Sequence, residues 1–126
     1  MTPRSERGSH AAELAIVMPI LLALLSGIFD YGWIMLNRHI AADAADAGAR
    51  AGAAAGEDDD AVALAEAAAS ARWATLRLPA EPEIEARETA ERIEVELRLP
   101  DVRPVQLIPG PPGLVVVRSR SLEASP

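Results

Sequence analysis

From Leu14 to Leu36 the chain runs for 23 residues with a single charge, Asp30. A helix of that length is roughly 35 Å long, enough to cross a hydrocarbon core of about 30 Å. The run predicts a membrane-spanning helix. Pro19 lies inside it, removing one backbone hydrogen bond and bending the axis, which neighbouring helices tolerate in a membrane. Gly27 and Gly32 allow close approach of another helix. Tyr31 and Trp33 suit the interface at the far end, where the Asp30 charge reaches headgroups or a partner helix. Beyond it, Asn37 to Ala55 is alanine-rich and broken only by Gly48 and Gly52, so one long helix is expected from about Glu13 to Ala55. Asp46 and Arg50 stand four apart on it, in ion-pair spacing.

The pattern then changes twice. Gly56-Glu57-Asp58-Asp59-Asp60 ends the helix, and Asp60 is a natural N-cap for a second one over about Ala61 to Thr75. Val62, Ala65, Ala69, Trp73 and Leu76 form its apolar stripe. After Pro79-Ala80-Glu81-Pro82 the period becomes two. Ile84 and Ala86 alternate with acids, and Ile93, Val95, Leu97 and Leu99 alternate with Glu94, Glu96 and Arg98. These read as half-buried strands joined by a turn over Glu88 to Glu91. Pro100 to Gly113 holds five prolines and reads as an irregular loop. Leu114 to Leu122 is a last strand, in which Val115 and Val117 compete with Leu114 and Val116 for the inner face. The fold class is α+β: a long N-terminal membrane-spanning helix, then a small extracytoplasmic domain with one helix and about three antiparallel strands.

Composition narrows the possibilities. At 126 residues the soluble part can bury only a modest core. Cysteine is absent, which excludes disulfides and thiolate metal sites. The net charge of −7 argues against nucleic acid as a partner. Arg4 and Arg7 precede the apolar run and acids dominate after it, so the N-terminus is expected in the cytoplasm and the C-terminal part outside. Glu57 to Asp60 lack the ligand spacing of a calcium loop and read as a helix cap. His10 and His39 flank the apolar run and do not converge in one monomer. Ser119 and Ser121 have no histidine near them in sequence. No nucleophile elbow, P-loop or zincin motif is present, and no enzyme activity or cofactor is expected.

The junction Arg7-Gly8-Ser9-His10-Ala11-Ala12-Glu13 carries the sharpest chemistry. A short basic leader ends in glycine, and an acid sits five residues on, at the very start of the apolar helix. A carboxylate there is costly, which marks a function. Two blander arrangements stay open. In one, Leu14 to Leu25 is the core of a cleaved signal peptide, followed by small-residue sites at Leu25-Ser26-Gly27 and Ala42-Asp43-Ala44. In the other the helix is an unprocessed anchor. The mature N-terminus separates the three: Ser9, a residue after Leu25, or Met1.

The first 54 residues or so resemble the TadE-like pseudopilins of tight-adherence (Flp-type) pilus machines. The resemblance rests on Arg7-Gly8, Glu13-Leu14-Ala15, Pro19, Asp30-Tyr31-Gly32 and Gly48-Ala49-Arg50, in that order. It implies a prepilin leader over residues 1–8 and cleavage by a prepilin peptidase between Gly8 and Ser9. Residues 9–55 would then be the transmembrane and extended helix, and 56–126 the small extracytoplasmic domain. It further implies a minor subunit in pilus assembly, held in the inner membrane before any incorporation into the pilus. Its partners would be the peptidase, other pilin and pseudopilin subunits and the assembly platform. Type IV pilins usually begin with phenylalanine after cleavage, whereas this chain would begin with Ser9. Glu13 either pairs with a neighbouring subunit's N-terminal ammonium, setting the register of packed helices, or sits in the cytoplasmic headgroup region without a partner; Asp30 either pairs with a partner subunit within the outer leaflet or is hydrated at the membrane edge.

Overall fold

The computed structural model describes residues 5–55, 60–76, 80–101, 103–106, 109–110 and 113–122. Its elements are α1 (Ser5–Ala53), α2 (Ala61–Ala74), β1 (Glu83–Thr89), β2 (Arg92–Pro100) and β3 (Gly113–Ser121). This is the expected α+β order. α1 begins earlier than the apolar pattern predicts, passing through Gly8 and Ser9 before Glu13. The chain divides into two compact units. One comprises Met1–Trp33 with Arg103–Gly110, the other Ile34–Val102 with Pro111–Pro126.

In the first unit the apolar side chains of α1 point outward. Leu14, Ile16, Ile20, Leu24 and Phe29 are all exposed. A helix able to cross a membrane is identified over His10–Ala53, and none of its most apolar stretch is buried. The Ser26 hydroxyl inside it is satisfied locally, Oγ donating to the Leu22 carbonyl at 2.8 Å. That back-bond is how a serine avoids an open polar group in hydrocarbon.

The second unit is a three-stranded antiparallel sheet, ordered β1-β2-β3, with helices against one face. β2 is the central strand, and Ile93, Val95, Leu97 and Leu99 are its buried side. Pairings Ala86↔Val95 and Ile84↔Leu97 on one flank, and Leu97↔Val116 and Leu99↔Leu114 on the other, extend that apolar face. These pairings settle the register of β3. Val116 is buried and Leu114 half-buried, whereas Val115 and Val117 are exposed on the far side. The β1–β2 turn is tighter than expected: Thr89 still pairs with Arg92, leaving only Ala90 and Glu91 in the loop. On the outer face Arg98 Nε donates to Glu96 at 2.8 Å. That bond, with the carboxylates of Glu96, Glu85 and Glu83, holds the guanidinium above its ordinary value.

α2 opens as its cap chemistry requires, with the Asp60 carboxylate accepting from the Ala63 N–H at 3.0 Å. Its buried positions are Ala61, Ala65, Ala69 and Trp73, a four-residue spacing. Val62 is only half-buried, and Leu76 is exposed because α2 ends at Ala74 and the helical projection stops there. Trp73 contributes the domain's one large ring and donates through Nε1 to the Ala80 carbonyl at 3.2 Å. Glu66 accepts the Ala86 N–H at 3.0 Å, so a donor on the outer side of β1 is already taken.

Against this stripe lies the Ile34–Ala53 stretch of α1, with Ala41, Ala44, Ala45 and Ala49 buried. Gly48 and Gly52 are the points of closest approach. A Cβ at Gly48 would lie 2.7 Å from the Ala65 carbonyl oxygen and 3.4 Å from Val95. One at Gly52 would lie 2.9 Å from the Ala61 carbonyl oxygen and 3.0 Å from Ile93. Only glycine fits where a backbone comes this near. Across the same contact Arg72 grips Asp43, at 2.8 Å from Nε, and Arg50 pairs with Asp46 as the spacing predicts.

Candidate membrane and assembly site

Gly8 and Ser9 lie in the first turns of α1, on continuous helical backbone. One turn on, the Glu13 carboxylate is 72% exposed, with His10 Nδ1 3.7 Å away on the same face. An exposed pair at that distance adds little stability. The acid is therefore presented outward at the foot of the apolar run, open to another molecule.

Asp30 is placed quite differently. It is 5% exposed, and its Oδ1 accepts the Val105 N–H at 3.1 Å. Oδ2 is buried without a hydrogen-bond partner among the described residues. The residue after Val105, Gln106, has φ 52, a left-handed conformation that a non-glycine side chain adopts at a cost. The backbone is thus turned sharply where it meets the carboxylate. Glu13 and Asp30 are 17 residues apart on one helix, about 25 Å of rise, so the chain does not bring them together.

Near Asp30 the helix surface has a shallow apolar groove lined by Ala23, Leu24, Gly27, Ile28, Tyr31 and Gly32. Gly32 has no heavy atom within 4 Å of where a Cβ would stand. Tyr31 and Trp33 flank the acid on exposed positions.

Among the described residues, no group of three or more His, Cys, Asp or Glu could hold a metal ion. Glu57 to Asp59 lie outside the described residues, and Asp60 serves as the α2 cap. Ser119 and Ser121 are exposed on β3, opposite Glu94 and Arg92.

Two features escaped the sequence reading. Gly48 and Gly52, read as interruptions, are the helix contact itself. Their four-residue spacing from Ala44, alongside the row Ala41, Ala45 and Ala49, was the available signal. The Asp30–Val105 contact joins residues 75 apart and has no local signature.

An outward-facing apolar helix of membrane length, followed by a small α+β domain, is consistent with single-pass anchoring in a membrane. Residues 8–50 match the model of the TadE-like protein family, consistent with a TadE-like protein, and this family suggests association with tight-adherence (Flp-type) pili. The match begins at Gly8 and ends at Arg50, so it takes in all of the ordered motif except Arg7. No curated protein and no solved structure matches the chain.

Proposed function

We propose that this chain is a minor pseudopilin of a tight-adherence pilus machine, processed by a prepilin peptidase between Gly8 and Ser9. It acts by assembling with other pilin and pseudopilin subunits and the assembly platform, not by catalysis and without a cofactor. It sits in the inner membrane with Arg4 and Arg7 on the cytoplasmic side and the sheet domain outside. The observation that carries this reading is the family match over residues 8–50, which begins at the glycine of the leader junction and includes Glu13.

Cleavage would create an ammonium at Ser9, one turn from the outward-facing Glu13. In a bundle of such helices, the carboxylate of one subunit would take the ammonium of the next. Each charge is costly in apolar surroundings unless paired, so the pairing sets axial register. Asp30, held inside the subunit by Val105, contributes by fixing the helix surface around the apolar groove.

Co-expression with a prepilin peptidase should reduce the intact mass by the Met1–Gly8 leader. A mature chain that keeps Met1, or starts after Leu25, overturns the reading. In the processed chain, Glu13→Gln removes a charge-assisted contact of about 1.5–3 kcal/mol. Cleavage and insertion should persist while crosslinking to partner subunits and pilus number fall.

A further inference from the structure

The segment around Val105 belongs with the membrane helix. Residues Arg103–Gly110 form one compact unit with Met1–Trp33. Asp30 lies 16 residues past Leu14, about 24 Å along the axis, whereas the hydrocarbon core is about 30 Å thick. A segment hydrogen-bonded to Asp30 is therefore within the apolar layer or at its rim. Exposed Tyr31 and Trp33 mark the same level, as aromatic side chains do at a membrane interface.

The chemistry of the segment suits that level. Backbone donors are expensive where water is scarce. Pro104 has no N–H, and the Val105 N–H is taken by Asp30 at 3.1 Å. The carboxylate and the amide each relieve the other's desolvation. Val105 itself turns an apolar side chain outward at 48% exposure, and Gln106 adopts a left-handed backbone conformation with φ 52. Arg103 lies against Gly110, where a Cβ would overlap its guanidinium, closing the base of the loop. An arginine at such a base can keep its charge at the headgroups while its stem covers apolar surface.

We propose that residues 103–106, tethered to α1 through Asp30, rest in the apolar interface of the leaflet at the C-terminal end of the membrane run, giving the protein a second lipid contact. The occupant of the exposed Val105 surface is lipid, because Val105 is held at the level of Asp30, whose neighbours Phe29 and Tyr31 on α1 also face outward. The proposal rests on Leu14–Leu36 crossing the bilayer.

The absence of cysteine makes the test direct. The full chain carrying Val105→Cys is labelled with an environment-sensitive fluorophore and reconstituted in vesicles of phosphatidylethanolamine and phosphatidylglycerol. The expected result is blue-shifted emission, quenched by lipids spin-labelled high on the acyl chain and insensitive to aqueous iodide. A probe at Leu22→Cys reports the span itself, and lipid quenching there is required by the membrane reading alone. Quenching at 22 with iodide-accessible, red-shifted emission at 105 overturns the loop contact while leaving the span intact. Protection at 105 from both iodide and spin-labelled lipid means that protein covers it, which also overturns the proposal. Asp30→Ala should release the probe at 105 to water. Asp30→Asn, which retains an acceptor oxygen, should keep it in lipid. Unchanged emission in Asp30→Ala overturns the tether.

Discussion

One helix, α1, shows two opposite solutions to the same problem of what a helix surface should carry. Over Leu14–Trp33 it bears large branched side chains, and nearly all of them are exposed. Over Ala41–Gly52 its apolar residues are all alanine, interleaved with Gly48 and Gly52, and Ala41, Ala44, Ala45, Gly48, Ala49 and Gly52 are buried while Asp43, Asp46 and Arg50 are not. The usual rule links size and hydrophobicity to burial in protein. Here the larger apolar residues face outward because the expected surroundings are lipid, as apolar as they are. The smaller ones face inward because they let backbones approach, so that packing replaces side-chain volume. Side-chain size along a single helix therefore reports which medium each stretch meets.

Identical substitutions in the two regions should break the symmetry, and urea unfolding of the full chain in detergent reads the sheet domain. Leu97→Ala empties a fully buried position beside Val116 and Ile84. It should cost about 2–5 kcal/mol, a large part of a small domain's stability. Leu24→Ala deletes the same atoms from an exposed site, and the domain's unfolding midpoint should not move. Equal losses would show that the apolar run is packed as core.

A smaller effect sharpens the same contrast. Gly48→Ala gains up to about 1 kcal/mol of helix propensity but drives a Cβ to 2.7 Å from the Ala65 carbonyl. The obstacle is backbone, so the net result should be a loss of about 1–3 kcal/mol. Gly32→Ala meets nothing within 4 Å and should leave the midpoint unchanged. The smallest change is at the α2 cap, where Asp60→Ala should cost about 1 kcal/mol and Asp60→Ser should recover most of it. Helicity by circular dichroism would check that α2 is the element affected.

Much of this fold is legible in the order of residues, for reasons the structure makes plain. The alternation at Ile93, Val95, Leu97 and Leu99 is unambiguous because β2 is central and one face is helix-covered. β3 is ambiguous because valines occupy both faces, and only its partners across Leu97 and Leu99 choose between them. Leu76 fails as a core residue because periodicity holds only while the helix lasts. The apolar run and Glu13 are local signals and can be read directly. Asp30 marks itself as unusual, but its partner depends on a turn 75 residues away that no periodicity encodes.

The bond from Ala86 to Glu66 bears on how the domain meets its own copies. Open sheet edges recruit strands, and a sheet with two open edges can add copies without end. Here one backbone donor of β1, the Ala86 N–H, is committed to the Glu66 carboxylate of α2, so a strand adding along β1 would have to displace that bond. The same carboxylate that ties α2 to the sheet therefore also works against strand addition at that edge.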